Sequence, residues 1–126
     1  MIDDRRNRVL IVEDDPSIRR MLVVSLGREG YRTAEASNGP EALDVLRAGQ
    51  ADLVVLDLMM LEVTGHQVLA ERAAEPELRK IPVIIITASR GDETARVLNE
   101  GIYALLPKPF DIETLNALVK SCLGQV

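Results

Sequence analysis

Short apolar runs alternate with segments of helical periodicity five times along this chain. Three of these runs, Val9–Val12, Leu53–Leu56 and Val83–Ile86, contain only Val, Ile and Leu. Strands of that composition are buried on both faces, which is typical of a parallel sheet covered by helices. Two weaker runs, Tyr31–Ala36 and Ile102–Leu106, complete the set. The pattern predicts a doubly wound α/β domain, (βα)5, with five parallel strands and helices on both faces.

Caps and glycines mark the helices between these runs. Asp15-Pro16 predicts the start of the first helix, because Asp accepts from free N–H groups and Pro is tolerated at the first helical position. The second helix is predicted over Pro40–Ala48, the third from about His66 to Ala74, the fourth between Gly91 and Gly101, and the last after Asp111 as its N-cap. The residues expected to face the core from the first and last helices are Ile18, Met21, Leu22, Ser25, Leu26, Leu115, Leu118, Val119 and Cys122.

Length and composition limit the function classes. At 126 residues one domain is expected, with residues 1–7 as a tail and residues 8–126 as the domain. The net charge of −5 argues against direct binding of nucleic acid. The sequence holds no apolar run of the roughly 20 residues that cross a membrane, and its N-terminus does not resemble a secretory signal. With a single cysteine, Cys122, the protein is expected to be cytoplasmic.

Polar side chains stand where four of the predicted strands end. Glu13 and Asp14 follow the first strand, Asp57 the third, Thr87 the fourth and Lys108 the fifth. Because the carboxyl ends of parallel strands meet at one edge of the sheet, these residues are expected to converge there. The sequence therefore predicts a site of three carboxylates, one hydroxyl and one ammonium.

Such a site needs a cation. Two carboxylates about 4 Å apart repel by about 4 kcal/mol at an effective dielectric of about 20, and one lysine does not offset three of them. Oxygen ligands suit Mg²⁺, whereas softer metals would call for Cys or His. Cys122 is expected in the core and His66 stands alone in the sequence, so neither is a candidate ligand.

Magnesium beside a lysine and a hydroxyl is typical of phosphoryl transfer. Metal and lysine neutralise the phosphoryl oxygens, the hydroxyl donates to one of them, and a carboxylate attacks phosphorus. Asp57 is the best candidate nucleophile because it stands alone at the end of the middle strand. Glu13 and Asp14 are adjacent and suited to holding the ion.

Four motifs in this order resemble the receiver domain of two-component response regulators: VLIVEDDP, DLVVLDLMM followed by Gly65, VIIITAS and LPKPF. The resemblance covers almost the whole chain and implies a flavodoxin-like sheet of order 2-1-3-4-5. It implies that Asp57 accepts a phosphoryl group from a histidine kinase or a histidine phosphotransfer protein, and that the domain signals through an unknown downstream protein. The roles that it implies for other residues are Mg²⁺ binding by Glu13, Asp14, Asp57 and the backbone carbonyl of Met59, contact with the phosphoryl group by Thr87 and Lys108, and a cis bond between Lys108 and Pro109.

Some positions depart from the family pattern. In the loop after the acceptor, Leu61 replaces a proline and Thr64 an acidic residue. Leu105 stands where an aromatic residue usually reports phosphorylation, and Tyr103 lies two residues earlier on the same face of the strand.

Three other functions are alternatives to phosphorylation signalling. An aspartyl phosphatase needs a second acid two residues after the nucleophile, where this chain has Met59. A flavin- or nucleotide-binding module needs a Gly- or Ser/Thr-rich loop after the first strand, where this chain has acids. An unphosphorylated pseudo-receiver, acting as a constitutive interaction module, stays the alternative because of Leu61, Thr64 and Leu105.

Overall fold

The computed structural model describes residues 7–58, 65–87 and 102–124, with the backbone alone described at 65 and 66. Its five strands form one parallel sheet in the order β2-β1-β3-β4-β5, which confirms the predicted architecture and strand order. The strands are β1 (Arg8–Val12), β2 (Arg32–Ala36), β3 (Leu53–Asp57), β4 (Val83–Thr87) and β5 (Ala104–Pro107).

Four helices lie within the described ranges: α1 (Pro16–Arg28), α2 (Gly39–Arg47), α3 (Gly65–Ala74) and α4 (Ile112–Leu123). The helix predicted between Gly91 and Gly101 lies outside those ranges, as does the loop from Met59 to Thr64. None of the described helices has the length and apolar character that a membrane crossing requires.

The sheet separates two hydrophobic clusters, and alternate strand residues enter each of them. Ile11 and Val55 lie in the cluster beneath α1 and α4, whereas Leu10 and Val54 lie in the cluster beneath α2 and α3. Burying one such side chain contributes about 1.5–3 kcal/mol, so both faces stabilise the sheet. The three apolar runs Val9–Val12, Leu53–Leu56 and Val83–Ile86 are fully buried, as their composition predicts.

Side-chain caps fix the first two helices in position. Asp15 Oδ1 accepts from the backbone N–H groups of Ser17 at 2.8 Å and Ile18 at 3.3 Å. Asn38 caps α2 in the same way. Asp111 precedes α4 with extended backbone, but its side chain makes no capping hydrogen bond, so only its position was predicted correctly.

Two sequence predictions need correction. Met21 was expected in the core but is 49% exposed, because the stripe of α1 that faces the sheet contains Leu22 and Leu26. The side of α1 that carries Met21 turns toward α4, where the two helices line an open groove. The last strand begins at Ala104 instead of Ile102 and includes Pro107, which β5 tolerates because it is an edge strand.

Candidate functional site

The structure brings the predicted polar residues to one edge of the sheet. Asp57 and Thr87 are the last and fully buried residues of β3 and β4, and Glu13 follows β1 directly. Lys108 follows β5, and its backbone N–H donates to the Thr87 carbonyl at 2.8 Å. The parallel sheet thus gathers groups from four β-α units that are distant in sequence.

Three carboxylates form the centre of the site. Ligand oxygens of Glu13, Asp14 and Asp57 all lie within 4.8 Å of one another. Glu13 is 2% exposed and Asp57 is 3% exposed, while Asp14 is half-buried. Such close and poorly solvated acids repel one another strongly unless protons or cations intervene.

Lys108 supplies one cation. Its Nζ lies 3.0 Å from Asp57 Oδ2 and donates a hydrogen bond to it. Because the ammonium is partly exposed and the carboxylate is buried, the pair links a solvent-facing donor to a desolvated acceptor. The peptide bond between Lys108 and Pro109 is cis, as the resemblance implied.

Glu13 is electrostatically the least satisfied member of the site. Burial, and secondly the contact with Asp57, raises the pKa of Glu13 to about 8. The Asp15 N–H, which donates to Glu13 Oε1 at 3.2 Å, and the charge of Lys108 oppose that rise. The other oxygen, Glu13 Oε2, is buried without a hydrogen-bond partner among the described residues.

These features fit a hard divalent cation. Three carboxylates against one ammonium leave a net negative charge, and a buried oxygen without a donor is a suitable ligand. Oxygen atoms alone make up the cluster. Cys122 is half-buried on α4, against the hydrophobic cluster beneath that helix, and burial raises the pKa of its thiol. The Met59 carbonyl and the His66 side chain lie outside the described part of the chain.

Hydrogen bonds hold the turn between β1 and α1 from both sides. The Glu13 N–H donates to the Ala36 carbonyl at 3.0 Å, and Arg19 Nη1 donates to the Glu13 carbonyl at 2.9 Å. Arg19 Nε also donates to Glu35 Oε1 at 3.0 Å. Sequence reasoning missed Arg19, whose only signal is a basic residue one helical turn after the acidic cluster.

The two residues near the missing aromatic position behave differently. Leu105 is partly buried and packs against the cluster beneath α2 and α3. Tyr103 is 44% exposed, and its hydroxyl shares a 2.8 Å hydrogen bond with Ser121 on α4.

Comparisons with known proteins identify the family of this chain. The family described as response regulator receiver domain matches residues 9–120. The polar-differentiation response regulator DivK of Brucella anthropi is 36% identical over 118 residues, which are 92% of this chain and 95% of DivK. The regulatory protein AtoC of Escherichia coli is also 36% identical over 118 residues, but these are 93% of this chain and only 25% of AtoC.

Solved structures of response regulator proteins and receiver domains are also similar to this chain. The receiver domain of a signal transduction histidine kinase from Syntrophus aciditrophicus is 33% identical with a TM-score of 0.85, covering 93% of this chain and 89% of that one. The response regulator TrrA of Thermotoga maritima, solved in complex with Mg²⁺ and BeF, is 32% identical with a TM-score of 0.81, covering 93% of this chain and 99% of TrrA. The chain belongs to the response regulator receiver domains, signalling domains that work with histidine kinases and downstream effectors.

Proposed function

We propose that this receiver domain accepts a phosphoryl group on Asp57 from a phosphohistidine of a histidine kinase or phosphotransfer protein. The reaction requires Mg²⁺, and the phosphorylated domain signals through protein–protein contacts. One observation carries the proposal: Lys108 Nζ lies 3.0 Å from Asp57 Oδ2, at the point where Glu13 and Asp14 bring their carboxylates within 4.8 Å of Asp57.

Asp57 is the nucleophile. One of its carboxylate oxygens forms a bond to phosphorus while the phosphorus–nitrogen bond of the donor breaks. The departing imidazole keeps the electron pair of that bond and takes up a proton from solvent, and Asp57 becomes an acyl phosphate. Burial at the end of a central strand fixes the carboxylate for in-line attack, so little orientational freedom is lost in the reaction.

Lys108 and Thr87 stabilise the transferred group. The Lys108 ammonium, already bonded to Asp57, balances negative charge on the phosphoryl oxygens. The Thr87 hydroxyl donates to one of these oxygens, from the end of the neighbouring strand β4. The hydrogen bond from the Lys108 N–H to the Thr87 carbonyl keeps the two residues together while the charge at Asp57 changes.

Glu13, Asp14 and Asp57 hold Mg²⁺, together with the Met59 carbonyl, which lies outside the described residues. The bound ion supplies neutralisation of charge on the phosphoryl oxygens. Glu13 Oε2, which has no hydrogen-bond partner in the described part of the chain, and the all-oxygen cluster support this assignment, as does the Mg²⁺ complex of the related TrrA.

The proposed partners and location follow from the family and the charge. The net charge of −5 and the partner-dependent family favour protein contacts over direct binding to nucleic acid or membrane. We place the domain in the cytoplasm, where histidine kinases present their phosphohistidine. The chain spans nearly all of DivK but only a quarter of AtoC. Both a separate protein and a further domain are therefore candidates for the output partner.

Mass spectrometry after incubation with acetyl phosphate and Mg²⁺ tests the proposal. The parent protein is expected to gain one phosphoryl group and Asp57→Asn none, because the amide lacks the nucleophilic oxygen. Asp44→Asn on the exposed face of α2 makes the same chemical change and is expected to be labelled like the parent. Labelling of Asp57→Asn would refute the acceptor assignment. A parent that is labelled neither by acetyl phosphate nor by phosphorylated phosphotransfer proteins would favour the pseudo-receiver alternative.

A further inference from the structure

We infer that Arg19 is a positioning residue that sets the orientation of the proposed magnesium ligands Glu13 and Asp14. This inference rests on the proposed function, since it concerns how the same site is held. Arg19 is not expected to touch the ion or the phosphoryl group; it acts through the backbone of the turn that carries the ligands.

The contact falls on the peptide unit that joins the two ligands. The Glu13 carbonyl, which accepts from Arg19 Nη1 at 2.9 Å, belongs to the peptide plane between Glu13 and Asp14. The Glu13 N–H is held separately by the Ala36 carbonyl at 3.0 Å. The Glu13 N–H belongs to the preceding peptide plane, so the two hydrogen bonds hold the planes on either side of the Glu13 Cα. Their relative rotation is restrained, and with it the direction in which the Glu13 side chain leaves the backbone and the position of the Asp14 N–H end of the shared peptide.

Arg19 is itself anchored at a second point. Its Nε donates to Glu35 Oε1 at 3.0 Å, so one guanidinium bridges the end of β2 and the turn after β1. The Arg19 side chain is largely buried, which limits competition from water. The rigid fork of a guanidinium can hold two acceptors at once, whereas a lysine ammonium is a point donor on a flexible stem.

Loss of the Arg19 charge and loss of ligand orientation would change the Mg²⁺ affinity in opposite directions. Arg19→Ala removes a positive charge near the acidic cluster and leaves Glu35 without that counterion. Charge alone would therefore make Mg²⁺ bind more tightly to the variant. Loss of orientation predicts the opposite, because groups that orient metal ligands typically contribute about 10- to 100-fold to affinity.

The experiment measures Mg²⁺ affinity from the rise in melting temperature with Mg²⁺ concentration, and from amide NMR shifts of Glu13 and Asp14. We expect the Mg²⁺ dissociation constant of Arg19→Ala to increase about 10-fold or more. The matched control is Arg20→Ala, which removes the same side chain from the exposed neighbouring position of α1 and should bind Mg²⁺ as the parent does, or slightly more tightly. Asp14→Ala, which removes a ligand, should abolish the response.

Two further variants test the fork itself. Arg19→Lys keeps the charge and the aliphatic stem, and its dissociation constant should still increase; it also serves if Arg19→Ala fails to fold. Glu35→Ala should weaken Mg²⁺ binding in the parent and have no further effect once Arg19 is replaced. Parental affinity in Arg19→Lys, or equal affinities of Arg19→Ala and Arg20→Ala, would overturn the inference while leaving the proposed function intact. A parent that shows no response to Mg²⁺ would overturn both.

Discussion

At the scale of single residues, Glu13 is the acid in the described part of the site whose ionised form is most strongly disfavoured. It is a buried acid beside Asp57, and its Oε2 has no hydrogen-bond partner there. Its pKa of about 8 means that the folded protein without metal holds a proton on Glu13 at neutral pH. A bound divalent cation would displace that proton, so metal binding and proton release are linked at this residue.

This linkage predicts how stability changes with pH. Between about 4.5 and 8 the folded protein retains a proton that the unfolded chain has released, so the contribution of Glu13 to stability falls as pH rises through this window. One proton corresponds to at most about 1.4 kcal/mol per pH unit, and the decline ends above the folded pKa. Urea unfolding without metal measures it.

Glu13→Gln is the control, because glutamine does not titrate and every other group is kept. As pH rises from 5 to 8, the parent should lose unfolding free energy relative to Glu13→Gln, and Mg²⁺ should reduce that loss. A constant difference across this range would contradict the raised pKa.

At the scale of secondary-structure elements, the connection between α3 and β4 depends on one buried cation. Arg72 is 2% exposed, and its Nε and Nη2 donate to the carbonyls of Ile81 and Arg79, both at 3.0 Å. On the neighbouring surface, Arg47 of α2 makes several contacts with the carboxylates of Glu71 and Glu75, all of them exposed to solvent.

We therefore predict that burial, and not the number of ion pairs, decides the cost of losing each arginine. Arg72→Ala should lower the unfolding free energy by about 2–4 kcal/mol, because buried carbonyls lose a charged donor. Arg47→Ala should cause little or no measurable loss, because exposed ion pairs are screened by water. Urea denaturation of both variants gives the comparison, and equal losses would contradict it.

We expect the strands β4 and β5 to determine how far a change at Asp57 spreads. Thr87 ends β4, and Leu105 on β5 pairs with Ile85 and is already partly buried. A leucine there has less area to bury than an aromatic ring and no hydroxyl to expose. Tyr103 is 44% exposed and its hydroxyl is hydrogen-bonded to Ser121 of α4, so it is the available substitute reporter.

We expect that a beryllofluoride mimic of phosphorylation will produce NMR shifts that are large at Asp57, require Thr87, and become smaller toward Leu105. Shifts that do reach α4 should weaken in Tyr103→Ala, which removes the link to Ser121. Shifts at Leu105 as large as those at Asp57, and insensitive to both Thr87→Ala and Tyr103→Ala, would show that the switch works in another way.

For the whole molecule, sequence periodicity predicted the strands, the described helices and the edge of the sheet where the polar residues meet. Runs such as Val83–Ile86 predict buried strands because only a covered sheet accommodates them, and Asp15-Pro16 predicts a helix start from local hydrogen bonding alone. The order of the strands came from the resemblance. The catalytic and metal-binding roles assigned to the site residues remain predictions.

Tertiary contacts of polar and flanking residues were not predictable in the same way. In the sequence, Arg19 looks like any charged residue on a helix surface, because its contact with the turn depends on where the Glu13 carbonyl points. Met21 fits the periodicity of a buried stripe, but its exposure depends on how closely α4 approaches α1. Both depend on distances between elements, which a linear pattern does not contain.

The placement of Asp57 and Lys108 has a consequence for quality control. The two residues are separated by 51 positions and meet only when β3, β4 and β5 have all docked in register. A chain that is truncated, slipped by one residue or still folding has no such pair to offer a donor. Only completely folded molecules should therefore accept a phosphoryl group, and an incompletely folded copy should not generate a signal.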